Sequence, residues 1–186
     1  VAWLGASKAG AIPLVLHQRE SPRAQVEICR SIEPAALVYD ASMTATAAEI
    51  AAACPSVTVC IEARSALAAE ATDALVPVAS IPRDLSQHRH AVSAPIAEDD
   101  PAAIVLSSGT TSVPKGVVHT HRGLVELART DVYLYGGLRP TDRTLMPLSP
   151  AFIGGYNGWY PFLNAGGTVV FMEKFDLAAL PATITS

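Results

Sequence analysis

The stretch Ile104–His121, IVLSSGTTSVPKGVVHTH, decides how the rest of the chain is read. An apolar run from Ala102 to Leu106 enters six consecutive small residues, Ser107, Ser108, Gly109, Thr110, Thr111 and Ser112. Pro114, Lys115 and Gly116 follow, then the apolar pair Val117 and Val118. Apolar runs on either side of small, turn-forming residues predict strand, tight loop, strand. Five of the six small residues carry a hydroxyl and the sixth is glycine. Successive backbone N–H groups in such a loop form a concavity that favours negative charge. Glycine lets backbone approach a ligand, and a lysine at the rim supplies a point charge suited to phosphate. The residues therefore predict a phosphate-gripping loop; the plainer alternative is a polar turn between two strands.

One established phosphate loop has the pattern G-x-x-x-x-G-K-[ST], and the spacing from Gly109 to Lys115 equals its spacing from first glycine to lysine. The rest disagrees. Pro114 replaces the second glycine and removes an N–H, and Gly116 stands where a Mg2+-binding Ser or Thr is required.

The composition sets the wider limits. With 186 residues, 50% hydrophobic and 16% charged, the chain is long and apolar enough to bury a core, which excludes a disordered chain. Its net charge is −4 and its only lysines are Lys8, Lys115 and Lys174, so no cationic surface for nucleic acid is expected. Cys29, Cys54 and Cys60 lack Cys-x-x-Cys spacing and sit among apolar residues, which predicts reduced, buried thiols and a reducing, cytoplasmic setting. The apolar run Val1–Leu16 is interrupted by Ser7, Lys8, Gly10 and Pro13, so neither a signal peptide nor a membrane span is expected. The chain opens inside a helical pattern at Val1 and stops soon after a helix predicted from Asp176, which reads as a piece of a longer polypeptide.

Along the chain, Val1–Ala9 predicts a helix stopped by Gly10, and Ala11–Leu16 a short buried strand. Ser21 as N-cap and Pro22 at the first helical position open a helix through Arg23–Ile32. A strand at Ala36–Tyr39, a helix at Met43–Ala53 and a strand at Val57–Ile61 follow. The alternation argues for an α/β fold, a mostly parallel sheet flanked by helices. A helix at Ala63–Ala71 and a strand at Leu75–Val78 close a first portion, residues 1–80; residues 81–101 are a polar connector; residues 102–186 carry the loop and the last group of elements. His88 and His90 have no third ligand at suitable spacing and read as loop residues. After the loop, strand continues to Thr120 and a helix occupies Leu124–Tyr135, ended by Gly136 and Gly137. His119 and His121 would share a face of the strand, but two ligands do not make a metal site. A strand at Thr144–Leu148, a turn at Ser149 and Pro150, a helix at Gly155–Leu163 and a strand at Thr168–Met172 complete the pattern.

Ser-Ser-Gly-Thr-Thr-Ser-Val-Pro-Lys-Gly-Val-Val-His-Thr-His closely resembles the signature loop of the adenylate-forming (AMP-binding) enzymes: acyl-CoA synthetases, aryl-CoA ligases, luciferases and the adenylation domains of peptide synthetases. Their usual form is [YS]-[ST]-S-G-T-T-G-x-P-K-G-V with a histidine soon after. Ser112 departs from it, standing where a second glycine is usual; if that position needs positive φ, a serine costs about 1 to 2 kcal/mol. LGASKAGAIPLVL, residues 4–16, resembles an early family motif in which a helix ending in Lys-Ala-Gly leads to a strand. LMPLSPAFIGGYNGWYPFLNAGGTVVF, residues 145–171, resembles the P-L-F-H-x-x-G, helix, L-x-x-G-G-x-x-V segment of acyl-CoA synthetases, with Phe152 in the place that borders the acyl pocket.

The resemblance implies a two-step reaction. A carboxylate attacks the α-phosphate of Mg-ATP to give an acyl-adenylate and pyrophosphate, and a thiol, commonly of CoA, then displaces AMP. It assigns Ser107, Ser108, Gly109, Thr110, Thr111, Ser112 and Lys115 to the β and γ phosphates. Phe152, Gly154, Gly155 and Tyr156 are acyl-pocket candidates, with Asn157 and Trp159 lining the same region, and the aromatic residues Tyr156 and Trp159 are open to a second reading as core. The segment holding His119 and His121 backs the nucleotide loop and binds no metal. The partners implied are a small carboxylic acid, ATP with Mg2+, CoA, and the remainder of the same polypeptide. No catalytic residue is expected within this chain, because the family's adenine motif with its Mg2+-associated glutamate, ribose-binding aspartate and catalytic lysine lie further downstream. The whole enzyme is expected to be roughly three times longer. Two alternatives remain: the adenylation domain of a peptide synthetase, which would carry a Phe-Asp pair where this chain has Phe152-Ile153, and a non-catalytic phosphate-binding module.

Overall fold

The structure, a computed structural model, describes residues 2–63, 78–80, 94–107, 114–172, 177–178 and 180–185. The chain divides into two compact units, one built mainly from Gln18–Ser93 and the other from Trp3–His17, Ala94–Ser108 and Lys115–Ser186.

In the first unit, α2 (Pro22–Ile32) starts as its sequence demands: the Ala24 N–H donates to Ser21 Oγ at 3.2 Å and proline occupies the first turn. It ends at Glu33, which takes the left-handed conformation (φ 52°, ψ 57°) with its N–H on the Cys29 carbonyl at 2.8 Å. Strand β1 (Ala36–Asp40) runs into a 3-10 turn at Ala41–Met43, where Asp40 caps the Ser42 N–H at 2.9 Å, and α3 (Thr44–Ala53) follows. Strand β2 (Val59–Ala63) lies parallel to β1, and β3 (Val78–Ser80) lies parallel to β2. Ile28, Cys29, Ala47, Ile50, Cys54, Val57 and Cys60 are buried. All three cysteines are free thiols. Two expectations move here. Val57 belongs to a turn, its N–H on the Cys54 carbonyl, so β2 starts at Val59; Ala63, expected to open a helix, ends that strand. Residues 64–77, the rest of that expected helix and most of the strand expected at Leu75–Val78, lie outside the described residues, as do His88 and His90.

The second unit begins with α1 (Ala2–Lys8), which stops at the predicted Gly10. Ala11–Leu16 does not form the expected strand. It makes one parallel bridge, Leu14 to Ile104, with the Ile104 N–H on the Pro13 carbonyl at 3.0 Å. Pro13 has no N–H to extend a ladder. Strand β4 (Pro101–Ser107) is buried on both faces and pairs antiparallel with β5 (Lys115–Thr120). Helix α4 (His121–Leu134) begins three residues before the predicted start, because Thr120 caps it, its Oγ1 accepting the Gly123 N–H at 3.1 Å. Strand β6 (Arg143–Met146) and strand β7 (Thr168–Phe171) pair in parallel, joined through α5 (Ile153–Asn164). Helix α5 closes on Gly166 at φ 78°, a conformation that favours glycine. The Gly167 N–H reaches the Phe162 carbonyl at 2.7 Å and the Gly166 N–H reaches that of Leu163 at 3.0 Å. A short α6 spans Leu180–Thr185; residues 173–176, including the Asp176 expected to open it, lie outside the described residues.

Of the four ladders among the described residues, three are parallel, as the βα alternation predicts, and the fold is mixed α/β. The second unit's core joins Ala102, Ala103 and Val105 of β4 with Leu124 of α4, Met146 of β6, and Tyr156 and Trp159 of α5; Trp3, Tyr160 and Val169 pack against it.

Candidate functional site

The predicted loop is carried on an antiparallel hairpin. The ladder runs from Pro101 opposite Thr120 to Ser107 opposite Lys115, so the two ends of the small-residue loop leave from directly paired positions. Of the seven phosphate-site candidates, the structure describes these two, Ser107 and Lys115; Ser108, Gly109, Thr110, Thr111 and Ser112 lie outside the described residues. Lys115 is exposed, free to present its ammonium to an anion. Antiparallel pairing follows from the sequence, since a loop this short returns the chain as a hairpin, whereas a parallel partner needs a long crossover. Val117 and Val118 of β5 are exposed.

The opposite end of the hairpin is fastened by charge. Arg122, in the first turn of α4, meets Glu98 Oε2 at 2.8 Å and Asp99 Oδ1 at 2.8 Å, and its backbone N–H donates to the Glu98 carbonyl at 2.7 Å. The His121 N–H donates to the Asp100 carbonyl at 3.2 Å. The Arg122 guanidinium holds the Asp99 carboxyl below the usual carboxylate range, chiefly through the hydrogen bond between them. Glu98–Asp100 is an exposed turn at the end of the polar connector; its pairing with Arg122 was not legible, because it joins residues on either side of the loop. His119 lies in β5 whereas His121 is the first residue of α4, so the two do not share a strand face as expected.

The acyl-pocket candidates lie where β6 gives way to α5, and the structure separates them. Phe152 occupies the N-cap position of α5, extended at φ −118° and ψ 155°, with 40% of its surface exposed. Its carbonyl accepts the N–H groups of Gly155 at 2.9 Å and Tyr156 at 3.3 Å, and no side chain caps the helix. Gly154 is exposed, beside Leu148. Gly155 is buried against the Ser149 carbonyl, and a methyl group there would overlap that oxygen. Tyr156 is 1% exposed and belongs to the aromatic core, its ring edge-on to Trp3 at 5.6 Å and tilted against Trp159 at 5.4 Å. Burial pushes its phenol well above the usual tyrosine value. The nearby Trp3 indole offsets part of that rise, although the two do not meet in hydrogen-bond geometry. Trp3 Nε1, Trp159 Nε1, Asn157 Oδ1 and Asp131 Oδ2 are likewise buried without a hydrogen-bond partner among the described residues.

Among the described residues no group of three His, Cys, Asp or Glu side chains is gathered that could hold a metal ion, and no helix is long and apolar enough to cross a membrane.

The sequence profile of one family, described as AMP-binding enzyme, matches residues 1–185. The 4-coumarate–CoA ligase 3 of Oryza sativa subsp. japonica is 34% identical over 197 aligned residues, covering 96% of this chain and 31% of that protein. The nonribosomal peptide synthetase penN of Penicillium thymicola is 42% identical over 87 residues, which cover 45% of this chain and 3% of that protein. Among solved structures, ATP-bound MatB from Rhodopseudomonas palustris superposes with a TM-score of 0.73 at 23% identity, over 98% of this chain and 34% of that one, a likeness of fold. The chain thus spans about a third of the length of the ligase it matches along nearly its whole extent.

Proposed function

The chain belongs to the AMP-binding, adenylate-forming enzyme family, and on that basis we propose that it forms part of an ATP-dependent ligase that activates a small carboxylic acid as its acyl-adenylate and passes the acyl group to a thiol, that of CoA. The observation that carries the reading is the pairing of Ser107 with Lys115, which closes the loop Ser108–Pro114 at its base and puts a cation at its rim. Hydroxyls and backbone N–H groups of Ser107, Ser108, Gly109, Thr110, Thr111 and Ser112 hold the β and γ phosphates of ATP, and Lys115 neutralises charge that grows on the departing pyrophosphate. Electrostatic stabilisation of that kind is the main source of rate in phosphoryl chemistry. Mg2+ arrives with ATP as part of the substrate. Phe152 and Gly154 form a wall of the acid pocket, backed by Gly155 and Tyr156. An apolar wall and the absence of an aspartate after Phe152 favour an acid without an amino group, and the ligase relative is by name a CoA ligase.

Carboxylate-dependent exchange of pyrophosphate into ATP by the full-length enzyme tests this. Removing the cation and a hydroxyl with Thr110→Ala plus Lys115→Ala is expected to lower the exchange rate by about 100-fold or more. Exchange unchanged by the pair overturns the phosphate assignment. Hydroxylamine trapping of an acyl-adenylate, followed by CoA-dependent thioester formation, separates this reading from a non-catalytic phosphate-binding module.

A further inference from the structure

Phe152 does not stand alone at the start of α5: the His17 ring lies against it, centroids 5.1 Å apart and planes tilted by 39°. His17 belongs to no motif of the sequence, and backbone geometry accounts for its arrival there. The bridge from Leu14 to Ile104 and the hydrogen bond from the Ile104 N–H to the Pro13 carbonyl fix residues 13 and 14 beside β4. Because the bridge is parallel, the chain leaves it toward the end of β4 that bears Ser107. Phe152 has its backbone fixed by the first hydrogen bonds of α5, but its side chain is substantially exposed. An exposed aromatic side chain on a fixed backbone exchanges among staggered rotamers unless a neighbour restricts it, and a second ring in tilted contact is such a neighbour.

We propose that His17 is a positioning residue: by packing on Phe152 it holds that ring in one orientation and so sets the affinity for the carboxylic acid, without acting on ATP. The inference rests on the reading of Phe152 as a pocket wall. The surface so held is apolar, since Ile153, the next residue in the chain, and Leu148, which lies beside Gly154, are both exposed and Gly154 adds no side chain. The acid favoured by such a wall presents an apolar or aromatic face to it.

The test is the same exchange assay in the full-length enzyme, with benzoate, cinnamate and octanoate as probe acids and the best of them carried into a cycle of wild type, His17→Ala, Phe152→Ala and the double variant. His17→Ala is expected to raise KM for the acid about three- to ten-fold, with kcat and KM for ATP changed by less than about two-fold. His17→Phe, which keeps a ring, restores the acid KM, and His17→Gln, which keeps polarity without a ring, does not. In the Phe152→Ala background His17→Ala adds nothing, because the two residues act as one. An acid KM unmoved by both His17→Ala and His17→Gln, an equal rise in KM for ATP, or full additivity in the cycle overturns the role of His17. Wild-type enzyme that exchanges with none of the acids overturns the functional reading and this inference together. Robust wild-type exchange insensitive to residue 17 overturns the inference alone.

Discussion

Two glycines in α5 meet different neighbours. A methyl group at Gly155 would overlap the Ser149 carbonyl oxygen and approach Pro150 Cα at 3.0 Å, both backbone atoms; at Gly158 it would overlap the terminal methyl of Met146, the free end of a flexible side chain. Alanine is the better helix former by about 1 kcal/mol, so backbone overlap must exceed that gain for glycine to be required. Gly155→Ala is accordingly expected to destabilise by about 1 to 3 kcal/mol, and Gly158→Ala by clearly less, as urea denaturation of the two variants would measure. The buried thiols tie stability to pH. Burial, with a smaller contribution from Cys54, pushes the Cys29 thiol up to about 11. A raised value means that the folded state favours the protonated form, so this stabilisation is complete below the ordinary thiol value of about 8.5 and is lost as pH rises toward the folded value. Thermal melts between pH 7 and 10.5 should show an alkaline fall in Tm that Cys29→Ala reduces.

Among the elements, the hairpin depends on its fastening at Arg122. The Asp99 carboxyl is lowered by its partner, so the stabilisation is present above the ordinary carboxylate value of about 3.9 and is lost as pH falls through the lower folded value. Arg122→Ala should lower Tm slightly at pH 7, the effect being small because the groups are exposed and screened. The difference from wild type should shrink as pH falls below the ordinary carboxylate value, whereas a difference that does not change with pH would assign the loss to packing of the arginine stem. The same elements show what the sequence could carry. Helix α2 was legible from Ser21 and Pro22, and the ends of α1 and α4 from glycines at positions 10 and 136, because these signals are local and chemically specific. The start of α4 was not: Gly123 in its first turn argues against helix by propensity, and the Thr120 cap together with the bonds of His121 and Arg122 to Asp100 and Glu98 offsets it. The strand expected at Ala11–Leu16 had a suitable apolar pattern but includes Pro13, and its partner, Ile104, is remote in sequence. For the candidate site, the chemistry of the loop was readable because it is contiguous. The contact of His17 with Phe152, and the burial of Tyr156 in a cluster with Trp3, arise from chain crossings that no local pattern encodes.

For the molecule as a whole, the placement of the one antiparallel ladder among the described residues bears on the order of assembly. Strands β4 and β5 are neighbours along the chain and close through a short loop, while β6 must wait for α5 before it can find β7. Closing a short loop costs little chain entropy, and contacts near in sequence form fast. The frame of the proposed phosphate loop is therefore expected to precede the parallel ladder during refolding. Pulsed hydrogen exchange should find the amides of Val105, Val117 and His119, which face across the hairpin, protected before those of Met146 and Val170; simultaneous protection would mean that the second unit condenses in a single step. The hairpin proposed to hold the nucleotide would then be an early nucleus of the fold, on which the elements proposed to hold the acid are later assembled.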